Sequence, residues 1–231
     1  MNESREKTIV VTGAEGALGG TVVECFLRHG HRVVGAHRPG HEPRLRGLAN
    51  TAWYAMEGAS AESVREGFSR VRADEGPIGT LVHCAGGFRF APVDATTDED
   101  FQFLVDGNFR AAFNLFRELL PEMKREGFGR IVVVSARSSL NPTAGVGVYT
   151  ATKAALNALV AAAADEVKKF DITINAVAPT VIDTPANRKD MPDADWATWV
   201  TREQLAEVIY ALTSSVGKPI HGAVIPVAGR V

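Results

Sequence analysis

The chain has 231 residues, 45% of them hydrophobic, and carries 25 Lys and Arg against 27 Asp and Glu, a formal net charge of −2. This near-neutral globular balance fits one domain and excludes disordered, collagen-like and strongly basic nucleic-acid-binding chains. Two cysteines without CxxC spacing, Cys25 and Cys84, build no disulfide framework and place the expected compartment in a reducing cytoplasm. No apolar run reaches the roughly 18 residues of a membrane span, and the charged start Met1-Asn2-Glu3-Ser4-Arg5-Glu6 predicts no signal peptide.

Short β-type runs alternate with helical stretches. Lys7 to Thr12 is an apolar strand stopped by Gly13, and Leu18 to His29 reads as a helix closed by Gly30. Arg32 to Ala36 and the weaker Thr51 to Ala55 are strands, Ala61 to Asp74 a helix ended by Gly76-Pro77, and Gly79 to Ala85 a strand. Thr96 to Asp98 then offer N-cap chemistry for a long helix reaching about Arg125, with Thr96 and Glu99 at capping-box spacing. Arg130 to Ser135 is a strand, Tyr149 to Lys169 a helix, and Ile172 to Val177 a strand. Thr201 to Thr213 is a helix and Ala223 to Val227 a last strand. Asp183 to Thr198, rich in Pro and Asp, reads as a mobile loop or lid. The alternation predicts an α/β fold, a single-domain, doubly wound parallel sheet of about seven strands with helices on both faces. Such sheets bind ligands outside the carboxyl ends of the strands, near the switch in strand order.

Thr12-Gly13-Ala14-Glu15-Gly16-Ala17-Leu18-Gly19 follows the first strand and opens the first helix. Gly13 permits a sharp turn, and helix-terminal N–H groups there can face a pyrophosphate. The alternative is a tight turn without a ligand. The second strand ends at Ala36-His37-Arg38-Pro39, without the carboxylate that would hold a ribose hydroxyl and repel a 2′-phosphate. Arg38 can pair with that phosphate, which favours NADPH over NADH, while Glu15 opposes it. Tyr149 and Lys153 stand four apart on one helical face, where an ammonium would lower the phenol pKa toward the working range. A surface Tyr beside a surface Lys is the alternative.

The order and spacing of Gly13…Gly19, Cys84-Ala85-Gly86, Asn108, Tyr149-xxx-Lys153 and Asn175-Ala-Val-Ala-Pro179 resemble the short-chain dehydrogenase/reductase family over nearly the whole chain. The resemblance implies a seven-stranded Rossmann domain and a nicotinamide cofactor along Gly13, Gly16, Ala17, Leu18 and Gly19, then His37, Arg38, Cys84, Ala85 and Gly86. It implies Tyr149 as proton donor or acceptor, Lys153 as its activator and ribose contact, and Asn108 in a proton relay. Pro179, Val181, Ile182 and Thr184 would line the nicotinamide. The usual catalytic serine, thirteen residues before the Tyr, is Ala136, with Ser135 and Ser138 shifted from that position. Ala17, Cys84-Ala-Gly-Gly87, Ala136 and the segment Asp183 to Asp195 with Trp196 and Trp199 resemble the dihydropteridine reductase branch, whose quinonoid pterin needs no serine donor. That branch carries Asp where this chain has His37.

These readings predict an NADPH-dependent reductase, dihydropteridine reductase-like, whose lid at 183–199 closes over a small-molecule substrate. Either tryptophan, Trp196 or Trp199, is placed to stack on a flat substrate or to pack the lid on the core. The alternatives are a carbonyl or 3-oxoacyl reductase, in which Ser135, Ser138 or Asn108 would polarise the carbonyl, and a non-enzymatic NADPH sensor. Cys25 is expected in the core, Cys84 beside the cofactor, and His29, His31 and His41 on the surface, with no metal site, nucleic acid or membrane partner. The helix after Tyr149, Ala154 to Ala164, is polar only at Asn157, so a second subunit is expected to cover it in a homodimer or homotetramer.

Overall fold

The computed structural model describes residues 7–41 and 45–230, so the charged start at Met1 to Glu6 lies outside the described residues. The strands are β1 (Thr8–Thr12), β2 (Val33–His37), β3 (Thr51–Ala55), β4 (Ile78–His83), β5 (Phe128–Val134), β6 (Asp171–Pro179), the two-residue β7 (Ile182–Asp183) and β8 (Val200–Thr201), and β9 (Val224–Val227). The helices are α1 (Ala17–Arg28), α2 (Ala61–Glu75), α3 (Asp98–Val105), α4 (Ala111–Glu126), α5 (Gly147–Val167), α6 (Pro185–Asp190) and α7 (Arg202–Thr213). Seven strands form one sheet in the order β3-β2-β1-β4-β5-β6-β9, and every pairing in it is parallel.

Strand residues alternate between two cores, which is why β5 reads as a continuous apolar run. Ile131 and Val133 face one layer with Phe68 of α2, Leu119 of α4 and Leu156 of α5. Val132 and Val134 face the other with Phe26 of α1 and Leu205 of α7. The chain runs outward from β1 through β2 to β3, then returns to β4 on the other side of β1. The order therefore reverses between β1 and β4, and a crevice opens at their carboxyl ends.

Glycines shape that edge. Gly13 holds φ +66°, and a Cβ there would lie 2.7 Å from the Ala85 nitrogen, so the turns after β1 and β4 meet backbone to backbone. At the far end of α1, Gly30 with φ +85° closes the helix. Gly30 N donates to Leu27 O and His31 N to Phe26 O, the paired bonds of a Schellman motif.

Several expected features differ. β4 stops at His83, so Cys84 and Ala85 belong to the turn that approaches Gly13. The cap of α3 is Thr97, whose hydroxyl accepts from Asp100 N and contributes about 1 kcal/mol. Thr96 instead donates to Pro92 O, so the Thr96 and Glu99 capping box does not form. The long helix is broken by a π-turn at Asp106–Arg110. The stretch expected as a loose loop is ordered: α6 carries a Thr184 cap, and β7 pairs with β8. Trp199 is buried, and the Trp196 ring lies under Arg188 and donates to Met191 O. Trp199 is thus enclosed, while Trp196 stays partly exposed. Among the described residues no helix is long and apolar enough to cross a membrane.

Candidate functional site

A cavity of about 240 Å³ occupies the crevice. Its walls come from the turn after β1 (Gly13, Glu15, Gly16), the end of β2 (His37, Arg38), the turn after β3 (Met56, Glu57, Gly58) and the end of β4 (His83 to Gly86). The helix-opening turn is tight: a Cβ on Gly19 would collide with the Gly13 carbonyl. Leu18 and Gly19 are buried beneath the turn, so they shape it without lining the cavity. Ala17 sits in the first turn of α1 and also stays outside the lining.

The cavity rim is polar and of mixed sign. Glu15 Oε1 accepts from Arg38 N at 3.3 Å, while Glu15 Oε2 is buried without a partner. The Arg38 side chain is exposed, and His41 lines the same rim. His83 is 1% exposed, with Nδ1 2.7 Å from the Thr12 hydroxyl and Nε2 unpartnered. Burial, aided by the Lys153 charge, pushes its pKa down to about 3, so the imidazole is neutral. Burial also raises the Cys84 thiol to about 12, which makes it unreactive.

Next to this cavity stand Tyr149 and Lys153, in the first two turns of α5. Lys153 is 4% exposed, and its Nζ donates to Val134 O at 2.8 Å. The ammonium lies 6.0 Å from the centroid of the Tyr149 ring. Gly86 makes room for it: a Cβ there would stand 3.2 Å from Lys153 Nζ and 2.8 Å from Asn108 Oδ1. The Phe88 ring packs edge-on against Tyr149 at 5.0 Å.

The expected effect of Lys153 on the phenol does not hold in this state. Burial pushes the Tyr149 pKa up to about 12, and Lys153 is itself lowered to about 8 by burial. The reason is geometric, because the ammonium is directed at the Val134 carbonyl. Tyr149 accordingly keeps its proton at neutral pH, as a proton donor requires.

Asn108 sits in the π-turn, fully buried. Its Oδ1 accepts from Gly87 N, and its Nδ2 donates to Gly87 O and Thr152 Oγ1. The side chain therefore ties the turn after β4 to α5, with its oxygen and both amide hydrogens engaged. Of the serines before α5, Ser135 donates to Asn157 Oδ1 at 2.6 Å, and Ser139 bonds Ala136 O and Asn157 Nδ2. Only Ser138 Oγ among them is buried without a partner.

After β6 ends at Pro179, Val181 O accepts from Val200 N and Ile182 O from Asn187 Nδ2. Thr184 caps α6. These four residues line the segment that leads into α6, outside the cavity walls.

Residues 7–195 match the model of the short chain dehydrogenase family. The chain is 28% identical over 231 residues to the 3-oxoacyl-[acyl-carrier-protein] reductase MabA of Mycobacterium tuberculosis, covering 96% of this chain and 92% of the relative. It is 29% identical over 203 residues to the acetoacetyl-CoA reductase of Cupriavidus necator, covering 84% and 82%. In fold it resembles the solved structure of ElxO with NADP bound, with a TM-score of 0.89, 24% identity, and coverage of 96% and 97%.

The buried ammonium gives a direct check. The Lys153 side chain should lose its proton near pH 8, being charged below and neutral above, as read by carbon NMR of its ε position. Titration at the ordinary lysine value of about 10.4 would contradict the described environment.

Proposed function

This chain belongs to the short chain dehydrogenase family, and we propose that within it the protein is an NADPH-dependent reductase of a small carbonyl compound of the 3-oxoacyl kind. The observation that carries reduction is the buried Lys153 ammonium, held at the Val134 carbonyl one helical turn from a protonated Tyr149. The reductases named above support the substrate class. None of them acts on a pterin by name, so the dihydropteridine reading rests on Ala17, Cys84 to Gly87, Ala136 and the segment Asp183 to Asp195 with Trp196 and Trp199 alone. Family membership and these enzyme relatives also displace the sensor reading.

The cavity suits the adenosine end of a dinucleotide: the turns after β1 and β4 meet backbone to backbone there, and Gly13, Gly16 and Gly86 line it without side chains. Gly13, Gly16, Cys84, Ala85 and Gly86 would hold the backbone-facing side, with Ala17, Leu18 and Gly19 shaping the turn beneath. His37 and the exposed Arg38 would face a 2′-phosphate, the Glu15 carboxylate being turned to the Arg38 backbone. Pro179, Val181, Ile182 and Thr184 would hold the nicotinamide end, and the reduced nicotinamide supplies the hydride when bound.

The chain's own groups do the rest. Tyr149 donates its phenolic proton to the oxygen of the reduced carbonyl. Lys153 places positive charge near the phenolate that remains, and it would hold the cofactor ribose. Asn108 holds the turn after β4 against α5, so that Gly86 leaves room for Lys153. Ser138, the serine with a free hydroxyl, takes the carbonyl-polarising part that Ala136 lacks. Exposed Phe88 forms an apolar wall beside Tyr149, and the segment 183–199 closes over the substrate to exclude water.

A second copy of the chain would cover α5. Ala151, Ala154, Ala158 and Ala161 are exposed along one side of that helix, small enough for close helix approach.

Three measurements test these assignments. With acetoacetyl and other 3-oxoacyl thioesters, Tyr149→Phe should lower turnover roughly a hundredfold. Ser138→Ala should lower it about tenfold or more, and faster reduction of quinonoid dihydropterin than of any ketone would reverse the substrate assignment. Arg38→Ala should weaken NADPH binding about tenfold while leaving NADH nearly unchanged; equal losses would make the cofactor NADH. In light scattering after gel filtration, Ala158→Glu should shift an oligomer toward monomer, and an unaltered mass would clear α5 of that part.

A further inference from the structure

α1 begins at the cavity, and its 12 residues carry the chain roughly 18 Å away, to the other end of the sheet. There Cys25 of α1 and His29, the residue that ends that helix, stand four apart, and Glu207 reaches them from α7. The Cys25 sulfur, a His29 ring nitrogen and a Glu207 oxygen all lie within 4.8 Å of one another. We propose that Cys25, His29 and Glu207 form a binding site for one thiophilic divalent cation of the Zn²⁺ class, which clamps α1 to α7.

The donor set is the first point. Thiolate, imidazole and carboxylate are the three protein ligand types that zinc takes, and three of them leave a fourth position for water. His29 and Glu207 are exposed, so that position faces solvent. The second point is how the groups meet without a cation. The His29 ring bonds to Glu207, Nε2 standing 3.1 Å from Oε2, and the Cys25 sulfur lies within 4.8 Å of both atoms. Ligands about 2.0–2.1 Å from a tetrahedral ion stand some 3.3 Å apart, so this pair is already at the spacing a shared cation imposes. A Zn–S bond of about 2.3 Å requires the sulfur to lie nearer to both other donors than the 4.8 Å ceiling, a shift that rotation of the Cys25 side chain together with the exposed Glu207 supplies.

Two neighbours pre-set the geometry. The His29 ring stacks on Tyr210 with centroids 3.7 Å apart and planes 7° from parallel, which fixes the imidazole. Arg28 Nη2 bonds Glu207 Oε1 at 3.0 Å, leaving Oε2 for the ion and serving as the outer hydrogen bond that orients a ligating carboxylate. Binding forms the metal–sulfur bond as the S–H bond breaks and its proton passes to solvent. The imidazole binds through Nε2 as the neutral tautomer with its proton on Nδ1. Burial and Glu207 raise the Cys25 thiol to about 12, so without a cation it stays protonated. Sequence reading places no metal at Cys25 or His29, because their third partner comes from the other end of the chain.

The test uses the full chain without an affinity tag, stripped by a chelator and titrated with Zn²⁺ and Co²⁺. One equivalent should bind, Co²⁺ should give a near-ultraviolet thiolate-to-metal charge-transfer band, and excess Zn²⁺ should raise the melting temperature. His29→Ala and Glu207→Gln should each weaken Zn²⁺ binding at least tenfold. Both side chains are exposed, so these variants report even if Cys25→Ser, which should abolish the band, fails to fold. Absence of the band in the unaltered chain, or Zn²⁺ affinity unchanged in both exposed-site variants, overturns the proposal.

Discussion

A positive charge kept inside the protein governs the layout of the crevice edge. Lys153 is nearly inaccessible, and burying an ammonium is costly unless it finds a hydrogen-bond acceptor. The last carbonyl of β5 provides one, and Gly86, lacking a side chain, leaves the space. Asn108 fixes the backbone beside that glycine, and the π-turn in turn aims Asn108 inward. Four separated parts of the chain thus converge on one ammonium. Its lowered pKa records how completely water has been removed from it.

The second constraint is backbone contact between the turns after β1 and β4. The parallel pairing of Thr12 with His83 brings the two strand ends level. Gly13 then lets the following residues approach Ala85 more closely than any side chain would permit. The crevice at the switch in strand order follows from this pairing. Its mixed rim, with Glu15 drawn to one backbone N–H and Arg38 left in solvent, is a local consequence of the short turn.

The features legible in the sequence are those with local causes. The apolar runs, the glycine stops and the Tyr149–Lys153 spacing each follow from neighbouring residues, and the seven-stranded parallel sheet follows from their alternation. Features set by distant contacts were not legible. Thr96, Thr97 and Asp98 are equivalent caps on paper, and only the Thr96 bond to Pro92 singles out Thr97. The π-turn leaves no trace in hydrophobic spacing, because Leu104 and Ala111 stay apolar on either side of it. The Asp183 to Thr198 segment reads as loose from its Pro and Asp content, yet pairing of β7 with β8 orders it. Met56, Glu57 and Gly58 line the cavity because β3 lies at the sheet edge beside β2, and only the turn position after a weak strand hints at it. The meeting of Cys25 and His29 with Glu207 depends on α1 packing against α7, which no local pattern encodes.

The π-turn at Asp106–Arg110 has one more consequence. Such a turn is a helix with one residue too many, so the surplus residue acts as a phase-setter between two otherwise regular segments. Deleting any single residue there would restore an unbroken helix and rotate everything upstream by about 100° relative to α4. The chain would gain regularity and lose the inward aim of its asparagine, so this irregularity is a length requirement that the fold imposes on its own gene.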